Sequence, residues 1–174
     1  MKKFELTSEF VTFLGKKLFR IKALVEFGNV EAGELGGYIE KEENLSQSGN
    51  AWVCGDARVC GDARVCGNAR VYGDARVCGN ARVCGDARVC GDADYAYAHG
   101  FGSCFRTTTF FRLKDGGVGV RCGCFYGTLQ EFRDKVQETH KNTKKAREYL
   151  MLADLMELRF SKEETGDENS KGNN

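Results

Sequence analysis

The chain has 174 residues and not one proline; it carries one tryptophan, three methionines and two histidines. Without proline, and with glycine at fixed spacing, it is neither a collagen-like chain nor a Pro-rich disordered one. Its charges nearly cancel, 26 Lys and Arg against 25 Asp and Glu. A net +1 leaves no bulk electrostatic case for nucleic acid or for a membrane surface. No run approaches the roughly 18 apolar residues of a membrane span. The opening MKKFELTSEFVTFLGKKLFR lacks the apolar core of a signal peptide, so a soluble, cytoplasmic protein is expected. No P-loop, GxSxG, HExxH or GxGxxG motif occurs, and motif reading assigns no catalytic residue, metal ligand or cofactor.

What the chain does have is 22 glycines and nine cysteines, six of the cysteines in one repeated phrase. From Val53 to Val77 it runs VCGDARVCGDARVCGNARVYGDARV. In Ala-Arg-Val-Cys, side chains alternate in and out, as a strand demands. Gly followed by Asp or Asn then supplies a corner, because these residues tolerate positive φ. A two-sided strand and a corner every six residues is the signature of a β-solenoid. Six cysteines, Cys54, Cys60, Cys66, Cys78, Cys84 and Cys90, sit at multiples of the repeat. Such spacing suits neither a disulfide framework nor a zinc motif, and reduced, packing thiols are expected.

The aliphatic residue followed four positions later by a small one resembles the hexapeptide repeat of left-handed parallel β-helices. That resemblance implies triangular coils of three hexapeptides, with residues 18 apart stacked. Cys60 then lies on Cys78, Cys66 on Cys84, and Tyr72 between Cys54 and Cys90. Arg58 stacks on Arg76, Arg64 on Arg82, and Trp52, Arg70 and Arg88 share a column. The expected fold is mostly β: a short left-handed parallel β-helix of about 2–3 coils with flanking caps.

The flanks divide the rest. Residues 1–50 read as an N-terminal β cap, in which Phe19, Ile21, Ala23, Val25 and Phe27 alternate with more polar neighbours and Leu18. The repeat occupies 51–98. Residues 99–126 read as a β-hairpin turning at Asp115-Gly116-Gly117. Residues 127–160 read as two helices, the first opened by a Thr128–Glu131 capping box. Residues 161–174 lack apolar side chains and read as a disordered tail. Together, "LGGYIEKEENLSQSGNAWV", the "GDARV" units, "TTTFF" with "CGCF", and "GTLQEF" resemble a protein family found mainly in phages and prophages. The resemblance implies a phage or prophage product acting in the host cytoplasm.

Function is sought in residues 99–126. Arg106, Arg112, Lys114 and Arg121 stand there against Asp115 alone. Thr107, Thr108 and Thr109 add hydroxyls, and Phe110 and Tyr126 add aromatic faces. Guanidinium forks, hydroxyls and rings suit a small phosphorylated or nucleotide ligand. His99 adjoins the last coil, where the resemblance to hexapeptide acyltransferases implies a catalytic base. The expectation is a non-enzymatic, oligomeric binding protein, a trimer favoured, that sequesters a small anionic, nucleotide-like signal of host defence. Two alternatives stand beside it: an inhibitor that touches a host defence protein through its Arg ladders, and a small acyltransferase using His99.

Overall fold

A computed structural model describes residues 1–162; of the expected disordered tail, residues 163–174 lie outside the described residues. Seven two-residue strands carry the repeat: β4 (Trp52–Val53), β5 (Arg58–Val59), β6 (Arg64–Val65), β7 (Arg70–Val71), β8 (Arg76–Val77), β9 (Arg82–Val83) and β10 (Arg88–Val89). They pair in parallel at a register of 18 residues, Val53 with Val71 with Val89, Val59 with Val77, and Val65 with Val83. The valines from Val53 to Val89 and the alanines from Ala51 to Ala87 point inward and are buried. The corners from Gly55 to Gly85 turn on glycines at positive φ, from 63° at Gly55 to 70° at Gly67, which a side chain would strain.

The stack begins before the strict repeat does. Strand β3 (Leu35–Ile39) pairs in parallel with β5, setting Ile39 against Val59, and Leu45 bridges to Val65. Residues 38–45, assigned above to the N-terminal cap, therefore supply two further positions of the aliphatic rows. Their period is lost because the step from Leu45 to Val53 is two residues longer than a repeat. Asn44 holds this segment down: fully buried, it donates to the carbonyls of Gly61 and Ala63 at 3.0 and 2.8 Å. Gly36 is required by close approach, since a Cβ there would lie 2.5 Å from the Val53 carbonyl oxygen.

The remaining N-terminal strands, β1 (Phe4–Phe13) and β2 (Lys16–Ala23), form an antiparallel hairpin that joins β3 edge to edge. Strand β3 carries one extra residue against β2, with Arg20 opposite Tyr38 and Lys22 opposite Leu35. Leu18 is buried, clustering with Tyr38 and Cys60. The Phe13 ring lies under the guanidinium groups of Arg58 and Arg76, at 5.2 and 5.7 Å, so the hairpin packs against that outer Arg column.

The C-terminal end is closed by more than a hairpin. Strands β11 (Tyr95–Ala98), β12 (Thr108–Arg112), β13 (Val118–Cys122) and β14 (Phe125–Thr128) form one antiparallel sheet in chain order. One face, with Phe111 and Leu113, joins the solenoid core; the other, with Phe110 and Val120, packs on helices α1 (Leu129–His140) and α2 (Lys144–Phe160). The Thr128–Glu131 capping box opens α1. Open strand edges invite unwanted pairing, and here side chains occupy the edge. Asp92 accepts the Arg76 N–H at 2.8 Å, the Tyr95 hydroxyl accepts that of Cys78 at 3.3 Å, and Thr109 accepts that of Arg82 at 3.0 Å. Among the described residues no helix is long and apolar enough to cross a membrane.

Candidate functional site

The ten residues singled out above separate into three groups. Thr108, Thr109 and Phe110 are buried, at 1%, 0% and 0% exposure. Thr108 donates to the Cys122 sulfur at 3.2 Å, Thr109 is bonded to the solenoid edge, and Phe110 packs edge-on against Phe132. These side chains are engaged inside the fold and offer nothing at the surface. Strand geometry is the reason, for successive residues of β12 point alternately to the solenoid and to the helices.

Arg112, Lys114 and Tyr126 reach three different places. Arg112 donates to the carbonyls of Gly116 and Phe160 and lies 5.0 Å from the Phe160 ring, fastening the end of α2 to the β12–β13 turn. Tyr126 stacks on Phe111, and its hydroxyl rests over Gly85, where a Cβ would lie 1.8 Å away. Lys114 lines a 670 Å³ groove with Arg70, Arg88, Tyr72 and Asp86. A ladder runs along this groove, Asn50 donating to Asn68 and Asn68 to Asp86, each at 3.2 Å.

His99, Arg106 and Thr107 do come together. They line a 440 Å³ cleft, the more enclosed of the two, with Asp62, Arg64, Asn80, Arg82 and Gly123. Arg64 and Arg82 stack in adjacent strands of one solenoid face, and the loop before β12 brings Arg106 alongside. His99 Nδ1 and the Thr107 hydroxyl share a 2.8 Å hydrogen bond. Glutamate and aspartate do not neutralise these cations: among the described residues Arg64, Arg82 and Arg106 form no ion pair. The one carboxylate in the cleft, Asp62, is already held by the Lys41 ammonium at 2.9 Å, whose hydrogen bond and charge keep its pKa below the ordinary value. Arg121, opposite Thr109 in the β12–β13 pairing, adds charge near Cys66 and Cys84 beside the same column.

From the sequence Arg64 and Arg82 stand out only as an Arg ladder of the alternative, protein-binding reading, and Asn80 does not stand out at all. Nothing in the repeat distinguishes Arg64 and Arg82 from Arg58 and Arg76; the difference is that Phe13 lies against one column, whereas His99, Arg106 and Thr107 line a cleft with the other. Among the described residues no three His, Cys, Asp or Glu side chains gather as a metal site would require. The "CGC" segment is a turn: Cys122 pairs with Phe125 across Gly123 and the exposed Cys124.

The fold is that of a repeat β-solenoid protein. Residues 63–79 and 75–91 match the family model of the YdcK beta solenoid repeat, a likeness confined to the repeat itself. A search of curated proteins finds no match to the chain.

Proposed function

We propose that the chain is a non-enzymatic binding protein whose Arg64–Arg82–Arg106 cleft takes a small phosphorylated ligand of nucleotide type. The observation that carries the reading is the convergence on one cleft of three exposed guanidinium groups that form no ion pair among the described residues. Clustered charges of one sign repel one another and attract an anion. Guanidinium forks bind phosphate oxygens in pairs, with the Thr107 hydroxyl and Asn80 amide available as further partners. The volume falls within the usual range for ligand pockets, about 300–1,000 Å³.

The same reading includes a left-handed, hexapeptide-type stack of about 2–3 coils, a homo-oligomer with a trimer favoured, and a phage or prophage origin. Its biological form is sequestration of a small nucleotide signal of host defence in the host cytoplasm. The likeness of the chain's motifs to phage and prophage proteins supports that part.

Thermal shift against linear and cyclic nucleotides tests the ligand class. A ligand that binds only the native state stabilises it by about 2.7 kcal/mol at a hundredfold excess over Kd. Stabilisation by at least one nucleotide is expected, lost in Arg82→Ala and Arg106→Ala and kept in Arg76→Ala. A flat response across the panel rejects the reading.

A further inference from the structure

The repeat cysteines are three columns with three different fates. Cys60 and Cys78 stack with their sulfurs 2.7 Å apart, and the N-terminal hairpin buries them together with Leu18, Val11 and Phe13. Cys54 and Cys90 are held apart by Tyr72, which takes the middle position of their column. Cys66 and Cys84 stack in the open column: β6 and β9 pair residue for residue, and the Cys66 N–H donates to the Val83 carbonyl at 3.0 Å. Parallel strands lie about 4.8 Å apart, inside the Cα separation of about 4.4–6.8 Å that a disulfide spans.

Access differs as well. Cys66 is half-buried and lines a 430 Å³ groove with Glu42, Glu43, Ser46, Gln47 and Arg64, whereas Cys84 is 6% exposed behind it. The Cys84 thiol stacked beside it, and the charges of Arg121, Arg82 and Arg64, outweigh desolvation and draw the Cys66 pKa down to about 6. The neighbouring Cys66 sulfur and burial push Cys84 up. An accessible thiolate with a protonated partner stacked on it is the arrangement of an attacking and a resolving cysteine.

We propose that Cys66 and Cys84 form a reversible redox clip between neighbouring coils, with a small disulfide compound as oxidant. The Cys66 thiolate attacks one sulfur of the oxidant, forming a mixed disulfide and releasing the other half as thiolate. Cys84 then gives up its proton to solvent and attacks the Cys66 sulfur, expelling the second half as thiolate. Two protein sulfurs are oxidised, one external disulfide is reduced to two thiolates, and one proton is released. Dithiothreitol reverses the sequence.

Glutathione disulfide is the probe, with mapping by mass spectrometry. The repeat makes ordinary mapping ambiguous, because trypsin yields VCGDAR from both 59–64 and 83–88 and VCGNAR from both 65–70 and 77–82. A Cys60→Ser, Cys78→Ser variant removes the ambiguity, and a VCGNAR–VCGDAR cross-link can then arise only from Cys66 and Cys84. That cross-link is expected as the main product at these positions. Adding Cys84→Ser should leave glutathione on Cys66, and adding Cys66→Ser should leave Cys84 reduced. Should the double variant not fold, the wild type keeps the question open to test: the fast phase of cross-link formation is expected to vanish in Cys66→Ser alone. Glutathione on Cys84 in place of Cys66, a reduced Cys66 while exposed Cys90, Cys104 and Cys124 react, or a fast phase that survives Cys66→Ser overturns the proposal.

Discussion

The Thr109 hydroxyl accepts the backbone N–H of Arg82 at 3.0 Å, joining the cap sheet to the last row of the solenoid. Two residues earlier, Thr107 shares its hydrogen bond with His99 in the cleft. The two threonines thus divide structure from function. Thr109→Val keeps the shape but strands a buried N–H, which costs about 1–3 kcal/mol. Urea denaturation should register that loss for Thr109→Val and little for Thr107→Val, while only the second weakens nucleotide-induced stabilisation.

Arg112 is expected to matter for stability alone. Its guanidinium joins the Phe160 carbonyl and ring to the β12–β13 turn, outside the cleft. Arg112→Ala should lower Tm by a few degrees, consistent with the loss of about 1 kcal/mol or more. The thermal shift given by a bound nucleotide should survive. Loss of that shift without loss of Tm would place the ligand elsewhere.

Lys3 predicts a specific pH dependence. It is 4% exposed, donates to the carbonyls of Ala51 and Gly49, and lies 4.7 Å from the Phe27 ring. Burial, with Arg70 nearby, lowers its pKa from 10.5 to about 8. Between these values the folded chain binds fewer protons than the unfolded one, so this lysine makes stability rise with pH across the window. The slope is at most about 1.4 kcal/mol for each pH unit. Tyrosines and thiols titrate there too, so the informative quantity is the stability of the wild type minus that of Lys3→Met at pH 7.5, 8.5 and 9.5. The difference should move toward the wild type as pH rises; a constant difference would contradict the assignment.

The strict period carried the fold a long way and stopped for physical reasons. Valine, alanine and the Gly-Asp corners specify their own positions, while the stacking of residues 18 apart was implied by the hexapeptide resemblance. Leu45 to Asn50 reads as a decayed repeat unit, but Ile39, which occupies the same rows, was hidden by the longer step from Leu45 to Val53. Strands β11 and β14 are four residues each, too short to announce themselves outside the sheet that pairs them. The site was legible in part. A cationic loop carrying His99, Arg106 and Thr107 could be read from composition. The burial of Thr108, Thr109 and Phe110 depended on β12 lying between two layers. The contribution of Arg64 and Arg82 depended on which Arg column lines the cleft with His99, Arg106 and Thr107.

Isothermal titration of the full chain with inorganic pyrophosphate is the most direct measurement of the basic cleft. The account predicts saturable binding at one site per chain, weakened about tenfold or more in Arg82→Ala and in Arg106→Ala, since a charge-assisted hydrogen bond contributes about 1.5–3 kcal/mol. Arg76→Ala, altered outside the cleft, should bind as the wild type does. No binding by the wild type, or equal affinity in all four proteins, would contradict the assignment of the cleft as an anion site.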